Sequence, residues 1–301
     1  MHATFRQLKL LLALAETGSI TGAARACHVT QPTVSMQLKE LSEAAGLPLY
    51  EQFGKRLQLT EAGEAVLATA RALQSEWEAL EQRLAGLRGL QHGRLRIALA
   101  STAKYFVPRM LGAFCARHPQ VDIALQVLNR DGVLQRMRAH QDDLYILSIP
   151  PPGLPHERAH LLDNPLVPIA PLGHVLAGRA RVRPQRLQEE PFILREAGSG
   201  TRLAGDAHFA KLGLSPRVRL ELGSNEAVKQ SVAAGMGLGL VSRHALSADP
   251  ASEGLAVLQV DRFPVRSAWS VMWLPGQRLS PLAQAFLQHL QGLAGHWEVH
   301  S

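Results

Sequence analysis

Between residues 66 and 87 the apolar side chains Val66, Ala70, Leu73, Trp77, Leu80, Leu84 and Leu87 recur at spacings of four and three in alternation. A mean period of 3.5 over three heptads describes a helix whose seam packs along another helix, not a face sunk into a globular core. Thr60, with Glu61 and Gly63 behind it, supplies the cap from which such a helix starts. The spacing predicts a chain that dimerises through this helix, with a long intrachain packing helix as the alternative. It also divides the 301 residues into a helical front and a rear of different pattern.

The front begins with TFRQLKLLLALAET, in which Phe5, Leu8, Leu11, Leu12 and Ala15 lie at helical spacing and Gly18 follows as a stop. Ser19 caps ITGAARAC. After His28 and Val29 the chain reopens into QPTVSMQLKELSEAAG, where Thr30 or Gln31 can serve as N-cap, Pro32 suits a first turn and Gly46 closes the helix. Two short helices joined by a tight turn make a helix-turn-helix. Val34, Leu38 and Leu41 share one face, leaving Gln31, Thr33, Ser35, Met36 and Lys39 outward. Short polar groups at the start of a second helix are what reaches base edges in a major groove; a solvated helical hairpin is the plainer alternative. In LPLYEQFGKRLQLTEAG, Leu57 and Leu59 alternate with polar residues after a turn at Phe53, Gly54 and Lys55, as a wing would, placing Lys55 and Arg56 for phosphate contact.

Beyond Gly89 and Gly93, strand-like GRLRIALA, VDIALQVLN and DDLYILSI alternate with helix-like AKYFVPRMLGAFCARHP and VLQRMRAH. A similar series recurs as PFILRE, a helix after GSGTR, RVRLELGS, NEAVKQSVAAG and GLGLVS. The expectation is a parallel α/β arrangement in two lobes, with the chain crossing between them. Such sheets bind ligands at the carboxyl ends of their strands. Ser101 and Thr102 follow the first strand, Asn129 and Arg130 the second, and Ser224 and Asn225 a strand of the other lobe; with Thr201 and Arg202 they would line the cleft, and Lys104 lies just past the first pair.

Composition narrows the partner. With 46% hydrophobic and 19% charged residues the chain is globular. No basic segment runs into a short apolar stretch with a cleavage site, and no apolar run approaches the ~20 residues that span a bilayer, so the expectation is a cytoplasmic protein without membrane association. Cys27 and Cys115 are far apart and form no framework or metal pair, which leaves them as buried small hydrophobes. The net charge of +7 points to an anionic partner, but residues 1 to 60 hold six basic against four acidic side chains and residues 61 to 92 three against five. The remaining 23 basic and 16 acidic residues carry the whole excess, so the front is neutral.

Chemical motifs are few. His156 to His160 read HERAH, the H-E-x-x-H pattern that on a helix sets two imidazoles one turn apart for zinc. Pro150, Pro151, Pro152 and Pro155 precede it and Pro165 and Pro168 follow, which argues for extended chain. At roughly 3.3 Å per residue the two imidazoles are then about 13 Å apart, too far to share one metal. GSGTR at 198 to 202 opens a helix whose N–H groups favour an anion, with a plain helix cap as the alternative. GMGLGL at 235 to 240 lacks the later acidic partner of a dinucleotide fingerprint and reads as close backbone packing. The hydroxyls have no histidine and carboxylate pair beside them and no G-x-S-x-G elbow occurs, so no catalysis is expected. A small-molecule-binding or enzymatic α/β protein with an N-terminal association domain is the rival reading; the polar Gln31 to Lys39 face argues against it.

The run TGAARACHVTQPTVSMQLKELSEAAGLPLYEQFGKRLQLTEAG resembles the LysR-type transcriptional regulators, with highly specific similarity over residues 1 to 63 and a likeness that extends over essentially the whole chain. LPLYEQFGKRLQLTEAG, STAKYFVPRMLGAFCARHP, NRDGVLQRM and DDLYIL look most like the subgroup controlling RuBisCO operons and other carbon-fixation or bicarbonate-uptake genes. The resemblance implies a winged helix-turn-helix DNA-binding domain at 1–60, a dimerising linker helix at 61–90 and a two-lobed, periplasmic-binding-protein-like effector domain at 91–301. It further implies a homodimer or homotetramer, an activator that acts on promoter DNA and RNA polymerase, and no cofactor beyond a small phosphorylated or carboxylated effector. The effector would be held by Ser101, Thr102, Lys104, Asn129, Arg130, Thr201, Arg202, Ser224 and Asn225. Gln52 departs from the pattern, since many members carry arginine there; a phosphate contact is neutral, and the wing relies more on Lys55 and Arg56.

Overall fold

The computed structural model describes residues 2–53, 56–87 and 93–294. Two compact units divide the chain: Met1–Glu81 with Arg138–Gln141, and Gln82–Met137 with Asp142–Ser301.

In the first unit, local capping sets the boundaries. The Thr4 hydroxyl accepts the Gln7 N–H while the Gln7 side chain accepts the Thr4 N–H, a capping box that starts α1 (Phe5–Thr17); Gly18 ends it at φ 67°. Ser19 Oγ accepts the Gly22 N–H to open α2 (Ile20–Ala26). Thr30, not Gln31, caps α3 (Gln31–Ala45), which Gly46 closes at φ 71°. The inner faces of the three helices bury Leu10, Leu11, Leu14, Ala23, Val34, Leu38 and Leu41 in one core. Each large aliphatic side chain so buried contributes about 1.5–3 kcal/mol. β1 (Tyr50–Phe53) and β2 (Arg56–Leu59) pair antiparallel as the expected wing. Thr60 Oγ1 then donates to the Pro48 carbonyl at 2.6 Å and accepts the Gly63 N–H at 3.0 Å, opening α4 (Glu61–Leu87).

The apolar seam of α4 is divided. Ala70 and the neighbouring Leu67 are buried in the core of the three helices, whereas Leu73, Trp77, Leu80 and Leu84 are exposed. The regular spacing had grouped Ala70 with the rest, yet its small side chain faces inward.

The second unit holds two five-stranded sheets. Lobe I is built from β3 (Gly93–Ala100), α5 (Val107–Arg117), β4 (Val121–Leu128), α6 (Arg130–Arg138), β5 (Leu144–Leu147) and β6 (Glu157–Asp163). The chain then passes to lobe II: β7 (Leu166–Pro171), β8 (Pro191–Arg195), α7 (Gly200–Lys211), β9 (Arg217–Leu222), α8 (Asn225–Ala233), β10 (Leu238–Ser242) and β11 (Leu255–Val257). It returns to lobe I for β12 (Ala268–Trp273) and α9 (Pro281–Ala294). Strand orders are β4-β3-β5-β12-β6 and β11-β7-β10-β8-β9.

The sheets are mixed rather than purely parallel. β3 pairs parallel with β4 and β5, and β8 with β9 and β10, but β12, β6, β7 and β11 enter antiparallel. The reversal comes from the two crossings, which run side by side: Leu166 and Val265 exchange backbone hydrogen bonds of 2.9 Å, and the Asn164 N–H donates to the Ser267 carbonyl. Phe106, Phe114, Trp269 and Phe286 fill the core of lobe I, with the Phe114 and Phe286 rings edge to face at 5.0 Å. Phe192 and Phe209 pack likewise in lobe II. No described helix is long and apolar enough to cross a membrane.

The two zinc-motif histidines lie along extended chain. Residues 157 to 160 belong to β6 and His156 precedes it, so the one-turn spacing that the pattern needs is absent.

A Cβ added at Gly63 would stand 1.9 Å from the Leu49 carbonyl oxygen. Alanine is the better helix former by about 1 kcal/mol, but a backbone oxygen cannot step aside and overpacking costs about 1–3 kcal/mol. Gly63→Ala should therefore lower stability in urea unfolding followed by far-UV circular dichroism. Gly112→Ala in α5, where the added Cβ meets nothing within 4 Å, should raise it. A stabilised Gly63→Ala would refute the contact.

Candidate nucleic-acid interface and interlobe cleft

Burying Val34, Leu38 and Leu41 turns the other side of α3 to solvent. Gln31, Ser35, Met36 and Lys39 are exposed and Thr33 half-exposed, all within the first two and a half turns. Thr33 Oγ1 lies 2.8 Å from Thr30 Oγ1, so the cap and the neighbouring face are joined. Lys39 makes only a loose 3.8 Å pair with Glu43, with both side chains well exposed. That face presents amide, hydroxyl, thioether and ammonium groups together, the mixture that contacts base edges and phosphates. Of the wing residues, Arg56 begins β2 and Lys55 lies outside the described residues.

In the second unit, the carboxyl ends of β3, β4, β8 and β9 deliver the polar residues that the sequence singled out. Two of them meet a third that it missed. Arg195, the last residue of β8, is 2% exposed. Its Nε and Nη2 hold the Glu196 carboxylate at 2.8 and 3.0 Å, Nη1 donates to Asn225 Oδ1 at 3.0 Å, and Nη2 reaches the Gly223 carbonyl and, across the lobes, Ser101 Oγ, each at 3.3 Å. Asn225 Nδ2 in turn donates to Thr102 Oγ1 at 2.8 Å, a second crossing between lobes. A third is the Tyr105 hydroxyl, which donates to Glu226 Oε1 at 2.5 Å; burial first, and then the adjacent carboxylate, raises this phenol well above its ordinary range.

The GSGTR loop lies against lobe I. A Cβ at Gly200 would stand 2.5 Å from Ser148 Oγ, and one at Gly198, where φ is +88°, 2.9 Å from Asp131 Oδ2. At Gly198 the positive φ favours glycine, and at both positions a side chain would require Asp131 or Ser148 to shift. Ser199 Oγ caps α7 by accepting the Arg202 N–H, and Thr201 is buried.

The remaining candidates are placed differently. Arg202 turns to its own lobe, bonding Asp206 at 2.8 Å and Glu221 at 2.9 Å. Ser224 Oγ caps α8 by accepting the Ala227 N–H, and Asn129 Oδ1 accepts the Gly132 N–H at the start of α6. Arg130 is buried, 3.5 Å from the Pro150 carbonyl and 3.9 Å from Asp131. Lys104 is exposed, its Nζ 5.2 Å over the Tyr105 ring. Arg195 was the residue to find: a cation ending the PFILRE strand directly before the glycine loop is the available signal.

A winged helix-turn-helix followed by a two-lobed receptor for small molecules defines a ligand-responsive DNA-binding regulator. Residues 5–64 match the model for bacterial regulatory helix-turn-helix proteins of the lysR family, and residues 88–294 match the LysR substrate binding domain. The chain belongs to the LysR family of transcriptional regulators, which are not enzymes.

Among its relatives, the RuBisCO operon transcriptional regulator of Acidithiobacillus ferrooxidans is 45% identical over 96% of this chain and 94% of that one. The HTH-type transcriptional activator CmpR of Synechocystis sp. is 43% identical over 96% and 95%. The regulatory domain of CcmR from Synechocystis PCC6803, solved in complex with 2-PG, is 45% identical, covers 67% of this chain and 97% of its own, and superposes with a TM-score of 0.65.

Removing one partner from a buried ion pair costs about 3–5 kcal/mol. Arg195→Leu should lose that much in urea unfolding, since Glu196, Asn225 and the Gly223 carbonyl lose their donors together. Arg202→Ala, whose carboxylate partners are half-exposed, should lose about 1 kcal/mol or less. Equal losses would show that Arg195 is not the anchor.

Proposed function

We propose that this protein is a cytoplasmic regulator of carbon-fixation genes that binds promoter DNA and responds to a small phosphorylated metabolite held between the lobes. The observation that carries this reading is the 45% identity to a regulatory domain solved with 2-PG, over 67% of this chain. In the proposed division, residues 1–60 bind DNA, 61–90 form the linker and dimerisation helix and 91–301 bind effector. Gln31, Thr33, Ser35, Met36 and Lys39 read the major groove, with Lys55 and Arg56 on phosphate. Ser101, Thr102, Lys104, Asn129, Arg130, Thr201, Arg202, Ser224 and Asn225 form the proposed effector set; Ser101, Thr102 and Asn225 are its centre because they share one hydrogen-bond network. No cofactor takes part.

The exposed Leu73, Trp77, Leu80 and Leu84 support pairing through α4 into a homodimer, from which a homotetramer assembles. Two heads then occupy two half-sites of an operator with approximate two-fold symmetry. Effector binds one arrangement of the lobes more tightly and shifts the oligomer toward it, which alters half-site spacing or DNA bend and engagement of RNA polymerase, in the sense of activation.

The test is a footprinting titration on the promoter beside the protein's own gene, with and without 2-phosphoglycolate and ribulose 1,5-bisphosphate, at 50 and 200 mM salt (about a fourfold range). A specific footprint that shifts with either metabolite is expected, with a modest salt slope per protomer because the head is neutral. Ser35→Ala and Gln31→Ala should relax sequence preference, at about 1–3 kcal/mol per lost base contact. A footprint indifferent to both metabolites would overturn the effector assignment, and a normal response by Arg202→Ala would remove Arg202 from the set.

A further inference from the structure

We infer that Arg195 and Asn225 are positioning residues that fix Ser101 and Thr102 as hydrogen-bond donors toward an anion. This rests on the anionic-effector reading and deepens it. Arg195 sits behind the two hydroxyls rather than serving as the charge that meets the ligand.

Donor direction decides the roles. A guanidinium has only donors, so the atom of Asn225 lying 3.0 Å from Arg195 Nη1 must be the carbonyl Oδ1. The other end of that amide, facing Thr102 at 2.8 Å, is then the NH2 group, and Thr102 Oγ1 accepts. Ser101 Oγ likewise accepts from Arg195 Nη2. Each hydroxyl has two lone pairs and one hydrogen. With a buried donor on the acceptor side, the hydrogen is left, and polarisation along the chain makes it a stronger donor.

Among the described residues neither hydroxyl donates to a protein acceptor, although Thr102 is 4% exposed. A buried O–H without an acceptor calls for a partner from outside. Ser101 is half-buried rather than buried, and the two hydroxyls on consecutive residues, each with its hydrogen unused, suit a group that only accepts, a phosphoryl or carboxylate oxygen, and oppose an ammonium. Arg195 cannot supply the matching charge itself, because Glu196 already holds it through two oxygens.

The relay can be reversed with little change of shape. In Asn225→Asp both oxygens accept, one from Arg195 and one from the Thr102 hydroxyl, so the Thr102 hydrogen turns away from the ligand. With the full chain and 2-phosphoglycolate as probe, isothermal titration calorimetry should show about a tenfold or greater loss of affinity, the size of one charge-assisted hydrogen bond. The unfolding midpoint should hold, since Arg195 keeps a partner. Thr102→Val should lose a similar factor and Thr102→Ser should retain binding. Charge repulsion from the new carboxylate would also weaken an anion, and the double variant Thr102→Val with Asn225→Asp separates the two causes. The relay requires the double variant to bind no more than about twofold more weakly than the weaker single one, because both remove the same donor. Fully multiplied losses overturn the relay, as does Asn225→Asp binding within twofold of wild type. Wild-type protein that binds none of 2-phosphoglycolate, ribulose 1,5-bisphosphate and inorganic phosphate overturns the anionic-effector reading, and the relay with it.

Discussion

A guanidinium buried to 2% exposure at the end of a strand is costly unless every donor finds an acceptor. At Arg195 the acceptors come from three directions: Glu196 beside it, Asn225 and Gly223 at the end of the next strand, and Ser101 from the opposite lobe. The two lobes are thereby tied by a requirement for satisfaction, not merely by packing. In the glycine loop that follows, Gly198 and Gly200 let the backbone come up against the Asp131 and Ser148 side chains, which would have to turn aside for any larger residue there. GSGTR is therefore first a device for close approach, and its helix cap at Ser199 is an ordinary one.

The DNA-binding head obeys a different economy of residues. α3 uses Val34, Leu38 and Leu41 for the core and leaves a polar face with almost no net charge, since Lys39 has Glu43 one turn away. A front with no net positive charge over residues 1 to 92 gains little from counterion release. Tight, specific occupancy must then come from joining heads, for which each added head acts at high effective concentration. In the proposed dimer the exposed part of the α4 seam answers that need. Four large apolar side chains at 3.5-residue spacing, each between 37% and 50% exposed, gain most from a second helix lying along them.

What was legible in the sequence had local causes. Ser19, Thr60 and the glycines at 18 and 46 fix helix ends through bonds within a few residues, and each stands where the pattern placed it. Strands β3, β4, β8, β9 and β10 were likewise visible from their apolar runs. Pairing direction was not, because the antiparallel entry of β12 beside β5 depends on a return crossing more than a hundred residues later. Ala70 illustrates the same limit, as heptad spacing cannot tell a residue facing its own head from one facing a partner. In the cleft, type and position located Ser101, Thr102 and Asn225. Composition could not show that Arg202 would turn to Asp206 and Glu221 while Arg195 turned inward, since the two arginines differ only in which carboxylates the fold brings near.

The excess charge that points to an anionic partner lies away from the helix-turn-helix. All of the +7 lies beyond residue 92, in the ligand-binding part, but several of its cations are matched at close range: Arg136 by Asp142, Arg195 by Glu196, Arg202 by Asp206 and Glu221, and Lys229 by Glu253. Paired charges do little for recognition at contact. The unbalanced remainder still sums to a field, which attracts anions over roughly a Debye length of ~8 Å and raises their local concentration. Under the proposed reading, discrimination falls to neutral donors held in fixed directions, which distinguish an acceptor from a donor regardless of ionic strength. In the proposed relay Ser101 and Thr102 are such donors, and their directions follow from the one side chain in the network that can only give hydrogen bonds.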